Sequence, residues 1–202
     1  MRTRTTTVGI LAVLALTLTA CSSGGDSHDD TKASTATASS NGLASSASPK
    51  QEAVQGPLKL GAGHHWTDTD TDGSHISGTT TAISYSQPAT GVDLPDEVSD
   101  FDSPVWAVLE VKVCADEDSS SVLVAQAPWA LGFPDYTRLQ APGTSGSGVP
   151  KPEYPTGDGA LVKAGTCLRG KITFSVAEGT RPDQVIYAPA DRDPVEWAVP
   201  KA

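Results

Sequence analysis

The sequence is short of basic residues and of long hydrophobic runs. Lys and Arg together number 14 against 24 Asp and Glu, so the formal charge is −10 at pH 7. A chain this acidic repels phosphate backbones, which disfavours nucleic-acid binding, and it argues against electrostatic adhesion to anionic lipid. The longest apolar run covers residues 8–18, well short of the roughly 20 residues that a membrane-spanning helix needs. A nucleic-acid-binding protein and a transmembrane helix are therefore not expected.

Recognisable catalytic motifs are also missing. The chain contains no G-x-S-x-G, S-x-x-K or H-E-x-x-H pattern. Its four histidines stand at residue 28 and within residues 64–75, so a Ser-His-Asp arrangement would have to be built there. Glu110 could pair with a second carboxylate for glycosidic chemistry, but no spacing identifies the partner. We therefore predict a protein that is neither an enzyme nor dependent on a cofactor.

The first 21 residues have the pattern of a bacterial lipoprotein signal peptide. Arg2 and Arg4 form a basic n-region, the apolar run 8–18 follows, and Leu18-Thr19-Ala20-Cys21 ends it. Because Thr3 separates the two arginines, Sec-type export is simpler than twin-arginine export. We predict cleavage after residue 20 and lipidation of Cys21. The protein would then be anchored to the cell membrane and face the extracellular or cell-wall side.

Composition divides the rest of the chain into a tether and a domain. Residues 21–57 are mostly Ser, Thr, Ala and Gly and contain no aromatic residue, so they cannot bury enough apolar surface to fold and are predicted to be disordered. Every Trp, Tyr and Phe lies beyond them. One domain is therefore predicted over residues 58–202. Loss of Arg2 and Arg4 with the signal peptide shifts the formal charge from −10 to −12.

The domain has the patterning of an all-β fold. Residues 105–114 alternate, with Val105, Ala107, Leu109, Val111 and Val113 on one face. Further short strands are predicted over residues 79–85, 121–125, 129–133, 171–176, 184–187 and 195–199. No window has convincing helical periodicity, and 15 prolines disfavour long helices. Seven to nine short strands separated by turns predict a β-sandwich.

The cysteine count fits this prediction. With Cys21 lipidated, Cys114 and Cys167 remain as an even pair in an oxidising compartment, where a disulfide could join the strands they flank. A reactive thiol or a metal ligand is the alternative. Neither a C-x-x-C spacing nor a nearby histidine supports that alternative.

Several stretches beyond residue 58 match the pattern of a known domain family. They are residues 106–113, 129–131 and 135–136, the L…G….G…F.V run of Leu161, Gly165, Gly170, Phe174 and Val176, then Val185, Tyr187 and the closing residues 195–199. On these positions the chain resembles an uncharacterised immunoglobulin-like domain of surface lipoproteins of high-GC Gram-positive bacteria. That family shares a telokin-like sandwich fold with secreted mycobacterial immunoprotective antigens. The resemblance implies an immunoglobulin-like β-sandwich, and it carries over no catalytic residue because the family has none established.

Residues 68–73 copy the first half of a calcium loop, with Asp68, Asp70 and Asp72 in alternate positions before Gly73. Thr79 stands where an EF-hand needs a bidentate glutamate, so a solvated hairpin tip is the favoured interpretation. A two-residue Asp72-Gly73 type I′ turn is expected there. That turn would place Asp68, Asp70 and His75 on one surface and point His65 to the opposite face, with His64 several pairs away. These ligands are too few for a structural zinc site.

Residues 140–159 are the least regular part of the domain. A loop this long is usually either functional or disordered. Tyr154, which stands between two prolines, could contact a partner, whereas residues 143–148 have the composition of a linker. Taken together, the sequence predicts a lipid-anchored surface protein with a non-catalytic interaction domain and an unidentified protein or cell-wall partner. Divalent-metal binding by Asp68, Asp70, Asp72 and His75 is the alternative.

Overall fold

The computed structural model describes residues 56–190 and 192–201, all within one compact unit. The predicted signal peptide 1–20, Cys21 and the tether 21–57 therefore lie outside the described residues, except for residues 56 and 57. No helix among the described residues is long and apolar enough to cross a membrane. The helical content of this part of the chain is one 3₁₀ turn, Asp96–Val98.

Eleven strands account for the regular structure. They are β1 Leu58–Lys59, β2 Gly63–Thr69, β3 His75–Ser86, β4 Pro104–Ala115, β5 Val122–Val124, β6 Trp129–Gly132, β7 Arg138–Gln140, β8 Ala160–Val162, β9 Cys167–Ala177, β10 Gln184–Tyr187 and β11 Val195–Ala198.

The strands form two packed sheets and a small third one. A five-stranded sheet has the order β1-β11-β10-β6-β7, a four-stranded sheet has the order β2-β3-β4-β9, and β5 pairs with β8. Buried residues of both larger sheets form one hydrophobic core. At its centre the ring of Trp129 lies 5.8 Å from that of Trp197 and 4.7 Å from that of Tyr187. The predicted all-β sandwich is confirmed.

Strand β4 shows why the alternating pattern was informative. Its predicted inward residues, from Ala107 to Val113, are fully buried in the core, and Val105 is half-buried. The intervening positions Glu110 and Lys112 lie on the outer face of the four-stranded sheet. Because β4 has neighbours on both sides, β3 and β9, it is the longest-paired strand of the domain. Its alternation therefore reports directly on the two faces of the sheet.

All seven predicted strand regions contain strands, although several boundaries differ. Strand β3 begins four residues before the predicted residue 79, and β9 begins four residues before residue 171. Strand β2 was not predicted as a strand, although the expected hairpin implied a partner for β3. Strands β1, β7 and β8 were not predicted either. They are two or three residues long, too short for a periodic pattern to register.

Cys114 and Cys167 are directly opposite each other on β4 and β9 and are joined by a disulfide. Their Cα atoms are 4.0 Å apart. The bond links the end of β4 to the start of β9 on the outer face of the sheet. It therefore cross-links two strands that already share a ladder.

Candidate functional site

A groove opens at the end of the sandwich where β4 begins and β9 ends. We call it the end groove; its volume is about 530 Å³. Its walls come from the β6–β7 turn, the residues that follow β9, and Phe101 in the loop before β4. Most of the lining is apolar, with charged groups at Asp135, Arg138 and Arg181. The apolar lining residues are Phe101, Phe133, Pro134, Leu139 and Ala177.

The β6–β7 turn beside the end groove contains an unusual residue, Tyr136. The Phe133 N–H donates to the Thr137 carbonyl over 3.0 Å, and the Tyr136 N–H donates to the Phe133 carbonyl over 2.9 Å. Tyr136 has φ of 67°, and it is the one non-glycine residue with positive φ in the described part of the chain. Its side chain is 96% exposed. Pro134-Asp135 is a type I turn signal, so sequence reasoning could have found the turn but not the backbone of Tyr136.

The β2–β3 turn has the same hydrogen bonds with glycine at the equivalent position. The Asp70 N–H donates to the Ser74 carbonyl over 2.8 Å, and the Gly73 N–H donates to the Asp70 carbonyl over 2.9 Å. Gly73 has φ of 85°. Both hairpins are three-residue loops in which a type I turn precedes a left-handed residue. Tyr136 therefore occupies a backbone position that favours glycine.

The type I′ turn predicted at Asp72-Gly73 is wrong. In the observed register Thr69 faces His75, and Asp68 faces Ile76, one residue away from the predicted pairing. A shift of one residue moves side chains to the opposite face of a strand. His65 and His75 consequently share the outer face, and Asp68 lies on the other face.

This register separates the four candidate metal ligands. Asp68 forms an ion pair of 3.2 Å with Arg192, whose guanidinium also lies 4.7 Å from the Trp66 ring centroid. The Oδ1 atoms of Asp70 and Asp72 accept hydrogen bonds within the turn, from the backbone N–H groups of Thr71 and Ser74. These contacts do not bring Asp68 and His75 together, and in residues 56–190 and 192–201 no three His, Cys, Asp or Glu side chains converge on a possible metal position.

The two histidines of β2, His64 and His65, lie on opposite faces of the strand. His65 Nε2 is 2.9 Å from Asp116 Oδ2 on the exposed outer face, and this hydrogen bond is the main reason that the pKa of Asp116 is lowered. His64 lines a separate cavity of about 260 Å³ with Trp66 and Arg192. Burial, followed by the charges of His65 and Arg192, lowers the pKa of His64. His64 and His65 therefore do not act together.

The partner contact predicted for Tyr154 is also wrong, because the side chain is buried in the core with 1% exposure. Its ring meets that of Trp129 edge-on at 6.5 Å. Its backbone N–H donates to the Lys171 carbonyl, and the Lys171 N–H donates to the Pro152 carbonyl, each over 2.9 Å. Residues 152–154 therefore cover the free edge of β9. Earlier in the same loop, residues 140–159, the Gly148 carbonyl accepts a hydrogen bond from the Asp93 N–H.

Comparison with known proteins supports the fold assignment. The chain is similar to the 1.5 Å crystal structure of MPT63, a secreted protein of Mycobacterium tuberculosis, with a TM-score of 0.51 and 23% sequence identity. The match covers 71% of this chain and 98% of MPT63. At this level of identity the likeness shows a shared immunoglobulin-like β-sandwich. No protein-family model matches the chain, and no curated protein matches it.

Proposed function

We propose that the protein is a lipid-anchored, extracytoplasmic binding module without catalytic activity. Its β-sandwich would be carried on the tether 21–57, attached to the outer side of the cell membrane through acyl chains on Cys21. Three observations support this location: the signal pattern ending at Cys21, a disulfide of the kind found in oxidising compartments, and a fold like that of a secreted protein.

Tyr136 is the observation that carries the binding role. A left-handed backbone costs a non-glycine residue roughly 1–2 kcal/mol, and a side chain exposed to 96% recovers none of that through burial. The β2–β3 hairpin shows that glycine fits the same turn. A strained residue that contributes nothing to packing points to a function outside the folding of the chain.

The chemistry of tyrosine fits a macromolecular partner. Tyrosine is enriched among residues that dominate protein–protein binding energy, since a rigid ring and a hydroxyl group combine apolar contact with hydrogen bonding. Tyr136 projects from the turn and does not line the end groove. A partner that contacts it must therefore extend over the outer surface of the turn, as a protein or a cell-wall polymer would.

Site-specific photo-crosslinking on intact cells tests this role. Benzoylphenylalanine at position 136 should give a discrete adduct, whereas the same group at Thr71, in the equivalent β2–β3 turn, should not. Excess soluble chain carrying Cys21→Ala should compete for the adduct, and the same chain with Tyr136→Asn in addition should not. Equal adducts from both positions, or equal competition by both soluble chains, would contradict the proposal.

The anchor has its own test. Cys21→Ala removes the predicted lipidation site, so the protein should appear in the medium or keep its signal peptide. Cell fractionation with intact-mass measurement distinguishes these outcomes. A variant that loses residues 1–20 and still remains in the membrane fraction at the wild-type level would show that Cys21 is not the anchor.

A further inference from the structure

The end groove holds a positive charge, that of Arg181, which is fixed in place by hydrogen bonds to the backbone. The Arg181 guanidinium donates to the carbonyl oxygens of Gln87, over 3.3 Å, and Pro200, over 3.1 Å. It also lies 5.6 Å from the centroid of the Tyr85 ring. Within the part of the chain that the structure describes, no carboxylate forms an ion pair with Arg181.

A series of hydrogen bonds among Tyr85, Gln87 and Thr180 holds Arg181 in position. The Tyr85 hydroxyl donates to Gln87 Oε1 over 2.7 Å, and Gln87 Nε2 donates to the Thr180 carbonyl over 2.7 Å. Burial raises the pKa of the Tyr85 hydroxyl far above its ordinary value, so the group remains a neutral donor. Arg181 is thus preorganised at the groove, which reduces the entropy lost when a ligand binds it.

Together with the other two charged lining residues, Arg138 and Asp135, Arg181 gives the end groove a net positive charge. Arg138 is exposed and forms no ion pair with the residues described. Asp135 Oδ1 accepts hydrogen bonds from the Thr137 hydroxyl, over 2.6 Å, and the Thr137 N–H, over 3.1 Å. These bonds lower the pKa of Asp135 and engage its carboxylate within the turn. Nε, Nη1 and Nη2 of Arg181 each donate to a backbone carbonyl, which leaves one further N–H on Nη1 and one on Nη2. These two N–H groups and the Arg138 guanidinium remain available to an incoming anion.

We propose that the end groove binds a single-chain carboxylate amphiphile, such as a fatty acid. Phe101, Phe133 and Leu139 would contact the hydrocarbon chain, and Arg181 with Arg138 would bind the carboxylate through charge-assisted hydrogen bonds. A volume of about 530 Å³ is in the ordinary range for small-molecule sites. This site is separate from the macromolecular contact at Tyr136 and does not depend on it.

Isothermal titration of the full chain carrying Cys21→Ala tests the site, with dodecanoate as the probe below its micelle concentration. Dodecanoate should bind saturably with one molecule per chain. Dodecylamine has the same hydrocarbon chain and the opposite charge, and it should bind about tenfold more weakly or worse. Arg181→Met should weaken dodecanoate binding by about tenfold, and Phe101→Ala should weaken binding of both probes.

Two control variants separate this site from general surface effects. Arg169→Met removes an arginine on the outer face of the four-stranded sheet, where it pairs with Glu110, and should leave dodecanoate affinity unchanged. Tyr136→Asn should also leave it unchanged. If Arg181→Met fails to fold, Arg138→Gln makes the same test at an exposed position. Equal affinities for the two probes, absence of saturable binding, or insensitivity to every groove variant would overturn the proposal.

Discussion

Tyr136 and Gly73 adopt the same backbone conformation in two hairpins with identical hydrogen bonding. The chain therefore contains its own comparison between a residue that suits the left-handed region and one that does not. The difference lies in the Cβ atom, which crowds the following carbonyl oxygen when φ is positive. At the scale of single residues, Tyr136 therefore destabilises its turn relative to glycine, whereas Gly73 adopts the same conformation without strain.

Reciprocal substitutions should reveal this difference. Tyr136→Asn should raise stability by up to about 1 kcal/mol, because asparagine tolerates positive φ without the backbone entropy of glycine. Gly73→Tyr should lower stability by about 1–2 kcal/mol, since it introduces the same strain. Chemical denaturation of both variants measures the two changes. A loss of stability in Tyr136→Asn would mean that the side chain contributes to the fold.

At the scale of elements, the edge of β9 is protected by residues 152–154. This segment approaches β9 so closely that there is no room for a side chain at Gly170. A Cβ atom built there would lie 2.6 Å from the backbone nitrogen of Tyr154 and 2.8 Å from the carbonyl carbon of Glu153. An uncovered β edge invites pairing with other chains, and here the cover also inserts Tyr154 into the core.

Gly170→Ala should push residues 152–154 away from β9 and loosen the packing of Tyr154 against Trp129. Overpacking of this kind costs about 1–3 kcal/mol, which corresponds to several degrees in Tm for a domain of this size. Gly56→Ala is the matched control, because no atom lies within 4 Å of a Cβ there. Equal Tm values for the two variants would show that residues 152–154 move away from β9 without a loss of stability.

The disulfide cross-links strands β4 and β9 at one end of their ladder. Cys114→Ser should lower Tm by several degrees, because a loop closed across a separation of 53 residues contributes about 4 kcal/mol on chain-entropy grounds. Intact mass should rise by two hydrogens when the native protein is reduced. Recovery of two alkylated thiols from the unreduced, folded protein would disprove the bond.

At the scale of the whole molecule, the hydrogen bonds that carboxylates accept in ion pairs and turns predict a fold that loses stability in acid. Hydrogen bonds are the leading cause of a lowered pKa at five carboxylates of the domain, Asp72, Glu110, Asp116, Asp135 and Glu153. A carboxylate whose pKa is lower in the folded state than in the unfolded state stabilises the fold at pH values above its unfolded-state pKa. The contribution is lost as the pH falls through the folded pKa.

Thermal stability should therefore decrease as the pH drops below the ordinary carboxylate values of 3.8 and 4.5. Glu110→Gln removes one contributor, whose pKa is lowered chiefly by the hydrogen bond from Arg169, and should make this dependence shallower. Melting curves between about pH 7 and pH 2.5 measure the effect. A Tm that stays constant or rises below pH 4 in the unmodified protein would contradict this account.

Local patterns in the sequence were sufficient to predict the sandwich and its principal strands. The alternation in β4 identified the buried face because each residue step turns a strand over. The cysteine count was sufficient to propose the Cys114–Cys167 pair, which the structure contains. These features depend on composition and on neighbours a few residues away, so a single sequence can reveal them.

The arrangement of the candidate sites was decided only by the tertiary structure. The β2–β3 hairpin has a three-residue turn where a two-residue turn was predicted, so the strand pairing is shifted by one residue. This shift places Asp68 and His75 on opposite faces of the sheet. Tyr154 is a core residue because its loop packs against the edge of β9, which is distant in sequence. The end groove likewise brings together residues as far apart in the sequence as Phe101 and Arg181. Such contacts depend on how separate elements pack in space, and sequence periodicity reports only which face of each element is apolar.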